Sequence, residues 1–295
     1  MELFENQIKE NIKQAIREEL SINSQVSDFA YDIFREIVER ISKDYSSNAT
    51  HFDGYGVYEF SFKKAFNEKK VLVSVNYFNF KSWNDYYFKS KETLDCKYGT
   101  SQSDGEKMNF ITVYCYGISG RLDKASTLDT IQHEVEHIFQ AISGQKQITT
   151  FDNKYSFSSQ HLMDNENKIL KLISNLVYYS YEYEQDGYVN GLYAMLMNSE
   201  YPTPSWDEIK QSEAYTALKK LRTSISAYIN PDEAFRRKSE DISKERFGMS
   251  LNSILKKAHQ ADSRLVKKIG KVLIKVKKDK KIHENNSGRL TYFWI

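Results

Sequence analysis

Residues 125–143 read ASTLDTIQHEVEHIFQAIS, and this stretch has the apolar periodicity of a helix. At about 100° per residue, the apolar side chains gather on one side: Leu128, Ile131, Val135, Ile138, Phe139 and Ile142. His133 and His137 project within about 40° of each other on the opposite, polar side. Asp123 precedes the stretch as a start signal, and Gly144 follows it as a stop signal. The pattern predicts a helix over 125–143.

The two histidines of this helix have the spacing of metal ligands. Residues 133–137 have the form H-E-x-x-H, in which both imidazoles can bind one zinc ion. A catalytic zinc site needs a third protein ligand and leaves one position for water. His133 and His137 therefore predict a Zn²⁺ cofactor and a further ligand elsewhere in the chain.

Carboxylates at helical spacing occur in a second predicted helix, which runs from Ile169 to Met197. Glu182 and Asp186 project onto its apolar stripe, together with Tyr178, Val189, Tyr193 and Leu196. Because a buried carboxylate needs a cation or a hydrogen-bond donor, zinc is the expected partner of Glu182. Asp186 is expected to accept the free N–H of a ligating histidine. Glu184 projects to the opposite side, which is typical of a solvated acid.

Together these motifs resemble the gluzincin branch of the zincin metallopeptidases, in which a glutamate on a later helix joins H-E-x-x-H. The spacing of Glu182 and Asp186 is similar to the E-x-x-A-D element of the CAAX-protease and HtpX-like proteins. Gln185 stands where that element usually has alanine. The resemblance covers roughly residues 105–197 and implies a zincin-like metallopeptidase with a peptide or protein substrate.

The resemblance also implies roles for individual side chains. His133, His137 and Glu182 would hold the zinc, which lowers the pKa of its bound water. Glu134 and Glu136 flank the histidine pair at about 60° on either side, so helical geometry does not choose between them. The family pattern makes Glu134 the general base. It also implies a donor for the developing negative charge, with three unranked candidates: His161, Tyr178 and Tyr193.

The remaining periodicities predict an α+β fold. Three β-like runs predict a small, mostly antiparallel sheet: Val57–Phe62, Val71–Phe80 and Asn109–Tyr116. If the last run is an edge strand beside the zinc cleft, a peptide substrate could pair with it. Extra helices are predicted at both ends of the chain: Leu3–Leu20, Asp28–Tyr45, Trp206–Tyr228 and Pro231–Phe247.

Charge and helix pattern suggest three segments along the 295 residues. Residues 1–50 form an N-terminal helical segment, 51–200 the zincin-like catalytic domain, and 201–295 a mainly helical, basic region. The last forty-five residues contain twelve Lys and Arg against three Asp and Glu. Apolar residues at helical spacing lie among these lysines: Leu265, Val266, Ile269, Val272, Leu273 and Val276.

Two interpretations fit this basic amphipathic pattern. The favoured one is packing against the acidic remainder of the chain, which satisfies both the apolar stripe and the charge. The other is an anionic partner: nucleic acid, a membrane surface or an acidic protein. The strongly hydrophobic end, 290–295, is expected to be docked.

The sequence makes a membrane-spanning or secreted protein less favoured. No apolar run approaches the roughly eighteen residues of a transmembrane helix, and Glu2, Glu5 and Lys9 interrupt any signal-peptide core. A cytoplasmic protein is therefore expected, with Cys96 and Cys115 as free structural thiols.

Two alternatives to a generally active metallopeptidase remain. One is a zincin-like binding or regulatory protein whose basic C-terminal region contacts nucleic acid, membrane or an acidic partner. The other is a peptidase of narrow specificity, inactive until a partner or substrate opens the cleft.

Overall fold

A computed structural model describes residues 24–48, 50–52, 55–82, 84–86, 98–103, 109–144, 168–199 and 203–287. In chain order the elements are α1 (Ser24–Asn48), β1 (Thr50–Phe52), β2 (Tyr55–Phe66), β3 (Lys69–Phe80), β4 (Tyr98–Ser103), β5 (Asn109–Ile118), β6 (Arg121–Leu122), α2 (Lys124–Ile142), α3 (Lys168–Tyr178), α4 (Glu182–Met197), α5 (Trp206–Gln211), α6 (Glu213–Ser226), α7 (Glu233–Phe247) and α8 (Leu251–Ser287). The predicted α+β class is confirmed. The predicted helix over Leu3–Leu20 and the run 290–295 lie outside the described residues.

The sheet is mixed, with strand order β1-β2-β3-β5-β4 and β6 paired to β5. β3 and β5 are parallel, whereas the other pairings are antiparallel. β2 and β3 form a hairpin whose two-residue turn, Asn67 and Glu68, has positive φ at both positions. This geometry matches the right-handed twist of the flanking strands. β5 lies between β3 and β4, so the condition under which a peptide could pair with this run is not met; β1 and β4 are the strands at the two ends of this order.

One face of the sheet packs on α1 and α2. Inner strands β3 and β5 bury alternate residues, including Val73, Val75 and Ile111, as expected for strands with one face in the core. The apolar stripe predicted for α2 meets them through Leu128, Ile131, Val135 and Ile138. The opposite, polar side of α2 is thereby turned away from the sheet and towards the helices that follow.

α2 begins and ends close to where the sequence predicts. The Asp123 side chain caps the helix by accepting a hydrogen bond from the backbone N–H of Ser126. Ser143 is the C-cap residue of the helix, and Gly144 follows it with a positive φ of 68°. Local signals therefore determine the position of the H-E-x-x-H segment within the helix.

The single helix predicted over Ile169–Met197 is instead two helices, α3 and α4, separated by residues 179–181. The predicted helix Trp206–Tyr228 is also divided, because the Ser212 side chain accepts a hydrogen bond from the N–H of Tyr215 and starts α6. α4 is the central helix of this half, since it packs on α2 on one side and on α8 on another.

The basic C-terminal stretch forms the long helix α8 and docks on its own chain. Its predicted apolar stripe is buried in a cluster with α3, α4 and α6, through Leu265, Val266, Ile269, Val272 and Val276. Arg222 on α6 makes a two-bond contact with Asp262 on α8. The favoured interpretation, intramolecular packing, is confirmed for this stripe. Within the described ranges, no helix has both the length and the apolar character needed to cross a bilayer.

Candidate metal centre

The two histidines of α2 lie under α4 and are almost completely buried. His133 is 4% exposed and His137 is 6% exposed. Their Nε2 atoms are 2.9 Å apart and the ring planes are perpendicular. Their one-turn spacing on the polar side of the helix therefore brings both nitrogens to one point, as predicted.

Glu184, in the first turn of α4, supplies the third group. Its Oε2 lies 3.5 Å from the Nε2 of His133 and 3.5 Å from the Nε2 of His137. Glu184 is 6% exposed. One ligand atom from each residue lies within 4.8 Å of the other two, so this buried group could hold a metal ion.

The structure brings Glu184 to the histidines, not the predicted Glu182. The side chain of Glu182 is 65% exposed and its carboxylate lies 3.8 Å from Arg264 on α8. Asp186, which was predicted to orient a histidine, forms an ion pair with Lys268, which also lies on α8. Glu182 and Asp186 do share a face of α4, but that face meets the basic helix α8. Their cationic partners are therefore Arg264 and Lys268.

A pattern of glycines could have identified the correct face. A Cβ added at Gly187 would lie 2.7 Å from Nδ1 of His133, and one at Gly191 would lie 2.2 Å from Oδ1 of Asp129. Both glycines thus permit α4 to approach α2 closely. They follow Glu184 by three and seven residues, and so share its helical face. Glu184 shares a helical face with the two glycines that pack against α2, and this pattern could have identified it as the carboxylate beside the histidines.

Neighbouring side chains hold this group in place. The hydroxyl of Tyr178 donates to Oε2 of Glu184 at 2.9 Å. The Tyr188 ring lies against His133 with 4.6 Å between centroids. On the other side, Nδ1 of His137 is 3.4 Å from Oε1 of Gln140. These contacts restrict the ring and carboxylate orientations.

Glu213, at the start of α6, lies close to the second ring nitrogen of His133, whereas Asp186, predicted to accept a hydrogen bond from a histidine, does not. Oε2 of Glu213 is 3.8 Å from Nδ1 of His133, which has no hydrogen-bond partner among the described residues. Oε1 of Glu213 accepts from the Thr130 hydroxyl at 3.0 Å, and its backbone N–H donates to Asp129. The C-terminal helices therefore contribute a carboxylate to the surroundings of the histidines.

The two glutamates between the histidines have different environments. Glu136 accepts hydrogen bonds from the Asn190 amide at 2.8 Å and the Gln140 amide at 3.3 Å. Glu134 instead faces the edge strand β4, where a Cβ added at Gly99 would lie 2.5 Å from its Cγ. Glu136 is thus held by side-chain amides within the α2–α4 packing, whereas Glu134 is buried against β4.

The electrostatics of the centre favour a positive charge. Burial lowers the pKa of His133, but the hydrogen bond to Glu184 and the charges of nearby carboxylates raise it to about 10. Burial raises the pKa of Glu184, yet the two histidines hold it well below its usual range. Burial also raises the pKa of Glu134. A cation among these carboxylates would offset the cost of burying their negative charge.

The three candidate donors for a developing negative charge are separated by the structure. Tyr178 lies at the centre through its bond to Glu184. Tyr193 donates to Asp279 on α8 at 2.8 Å, on the side of α4 that carries Glu182 and Asp186. His161 lies outside the described residues.

Comparison with known proteins adds no relative: no protein family, curated protein or solved structure shows a significant match to this chain.

Proposed function

We propose that the protein is a zinc-dependent metallopeptidase with His133, His137 and Glu184 as the zinc ligands. The observation that carries this proposal is the spacing of the three ligand atoms. Tetrahedral zinc with bonds of about 2.0–2.1 Å needs ligand atoms about 3.3–3.4 Å apart. The separations here are 2.9, 3.5 and 3.5 Å. Small side-chain adjustments would suffice to bind the ion.

The type and number of ligands favour a catalytic zinc over a structural one. Structural zinc sites have four protein ligands, most often with cysteine, whereas two histidines and one glutamate form a catalytic set with one open position. Among the described residues, only His133, His137 and Glu184 form such a group. Zinc bound there would polarise a substrate carbonyl and lower the pKa of water towards neutrality.

The chain's own residues would then move the proton and fix the geometry. Glu134 is the proposed general base because it lies beside the histidines and is not engaged by Asn190 as Glu136 is. It would accept a proton from the attacking water and return it to the leaving amine. Tyr178 holds Glu184, so that the ligand oxygen keeps its position as the reaction proceeds.

An extended peptide is the proposed substrate, and β4 is where it would lie. β4 pairs with β5 on one side and has no strand neighbour on the other among the described residues. Its Gly99 lies against Glu134, so a peptide paired with this edge would run past the general base. Backbone hydrogen bonds of this kind supply affinity independent of side chains.

The proposal is tested by incubating the zinc-loaded protein with a proteome-derived peptide library. New peptide termini are expected in mass spectra, and a chelator that removes zinc should suppress them because the nucleophile is then no longer activated. Added zinc should restore cleavage. A protein that holds zinc but produces no new termini would contradict a generally active peptidase and would leave two interpretations, a binding or regulatory protein and a peptidase that is inactive until a partner or substrate opens the cleft.

A further inference from the structure

A second concave site lies between α3 and α6 and is lined by lysines. Its volume is about 590 Å³. Five lysines line it: Lys168 and Lys171 from α3, Lys210 from α5, and Lys219 and Lys220 from α6. We call this site the lysine groove. Its volume falls within the roughly 300–1,000 Å³ of small-molecule sites.

No described acidic residue lines the lysine groove. α3 has no Asp or Glu, and the one acid of α6, Glu213, contacts Thr130 and lies near His133. On α5, Asp207 lies 3.7 Å from Lys210, and Glu208 is bonded to the backbone N–H of Ser205. On α7, which packs on α3, Glu240 accepts from the backbone N–H of Leu251. The groove therefore has a net positive charge.

Hydroxyl groups line the same groove, and one of them is unsatisfied. Ser224 is 1% exposed, and its Oγ has no hydrogen-bond partner among the described residues. A buried hydroxyl in this condition is destabilising. Thr216 and Thr223 also line the groove. A ligand with several oxygen acceptors would neutralise the lysines, and a rotation of the Ser224 side chain towards the groove would let its hydroxyl donate to one of those oxygens.

We infer that the lysine groove binds a small, multiply charged phosphate compound. Lysine ammonium groups are common phosphate ligands, and hydroxyls donate well to phosphate oxygens. α3 and α6 line one compact concavity instead of a long groove. This shape favours a compact ligand over a nucleic acid strand. None of the groove residues is a proposed zinc ligand, so the two sites are chemically distinct.

The test is isothermal titration calorimetry with inorganic tripolyphosphate. Because this probe can also chelate zinc, wild type is compared with His137→Ala, which lacks a zinc ligand. Equal one-to-one binding to both proteins is expected. The double variant Lys171→Ala/Lys219→Ala should bind at least about tenfold more weakly, because two charge-assisted contacts are lost. Raised salt should weaken binding to wild type.

Ser224→Ala separates ligand binding from a merely structural role. Removing an unsatisfied hydroxyl should leave the melting temperature unchanged or raised, whereas it should weaken tripolyphosphate binding about threefold or more. The matched lysine control is Lys267→Ala/Lys277→Ala, which removes two exposed charges from α8 and should leave binding unchanged.

Three results would overturn the inference. The first is no binding of tripolyphosphate up to about 1 mM. The second is equal loss in the groove variant and the α8 control. The third is binding of a single-stranded RNA of about 20 nucleotides that needs the groove lysines, while tripolyphosphate does not bind.

Discussion

Glu134→Gln is expected to lower kcat for peptide hydrolysis by about 10²–10⁴-fold while the zinc content stays that of wild type. The amide cannot accept a proton from water, yet it has nearly the same volume as the carboxylate beside Gly99. Glu134 is not one of the three proposed ligands, so metal binding should remain. The measurement is hydrolysis of the best library peptide, with zinc determined by elemental analysis on the same samples.

The matched control is Glu136→Gln, on the same helix and two residues away. Glu136 accepts hydrogen bonds from Asn190 and Gln140, and its role in the proposal is structural. We expect a much smaller loss of kcat, together with a lower melting temperature. If Glu136→Gln abolished hydrolysis and Glu134→Gln preserved it, the assignment of the general base would be wrong.

Glu184→Ala should weaken zinc binding by at least about 100-fold, whereas Glu182→Ala should leave it within about twofold of wild type. The first variant removes a carboxylate oxygen that lies 3.5 Å from both histidine nitrogens. The second removes a carboxylate that is 65% exposed and directed at Arg264. Competition with a chromophoric chelator measures both affinities.

The stability of the two variants serves as the control for folding. The ion pair of Glu182 is exposed to solvent, so its loss should cost less than about 1 kcal/mol of unfolding free energy. Thermal melts of the metal-free variants should show that both are folded. Equal metal loss in the two variants, or loss confined to Glu182→Ala, would contradict the ligand assignment.

The H-E-x-x-H helix could be predicted in detail because the information is local. The apolar stripe from Leu128 to Ile142, the cap at Asp123 and the glycine at 144 lie within about one helix length. The relative direction of two side chains four residues apart then follows from helical geometry alone. The same reasoning places both histidines opposite the stripe, and the structure has them there.

The third member of the candidate metal centre was not predictable in this way, because it depends on which elements pack together. Projection grouped Glu182 with Asp186 correctly, but gave no information on whether zinc or α8 faces them. The lysine-rich helix that neutralises them lies about eighty residues further along the chain, as the separation of Asp186 and Lys268 shows. Only the glycines at 187 and 191 carried a local signal for the face that approaches α2.

The edge strand β4 was not predicted from the sequence, and the reason is again that its position depends on packing. The Val and Ile residues of β3 and β5 indicated strands at these positions, whereas Tyr98–Ser103 has the composition YGTSQS and little apolar pattern. An edge strand with one neighbour needs less apolar character than an interior strand. β4, which lies beside Glu134, therefore gave little sequence signal.

Zinc stoichiometry is the most direct test of the proposed centre. Wild-type protein and His137→Ala are purified without metal-chelate resin and analysed for metal content under identical conditions. We predict one zinc per chain in wild type and nearly none in His137→Ala, because the variant lacks one of the three proposed ligands. Wild type without zinc, or His137→Ala with the same zinc content as wild type, would contradict the account.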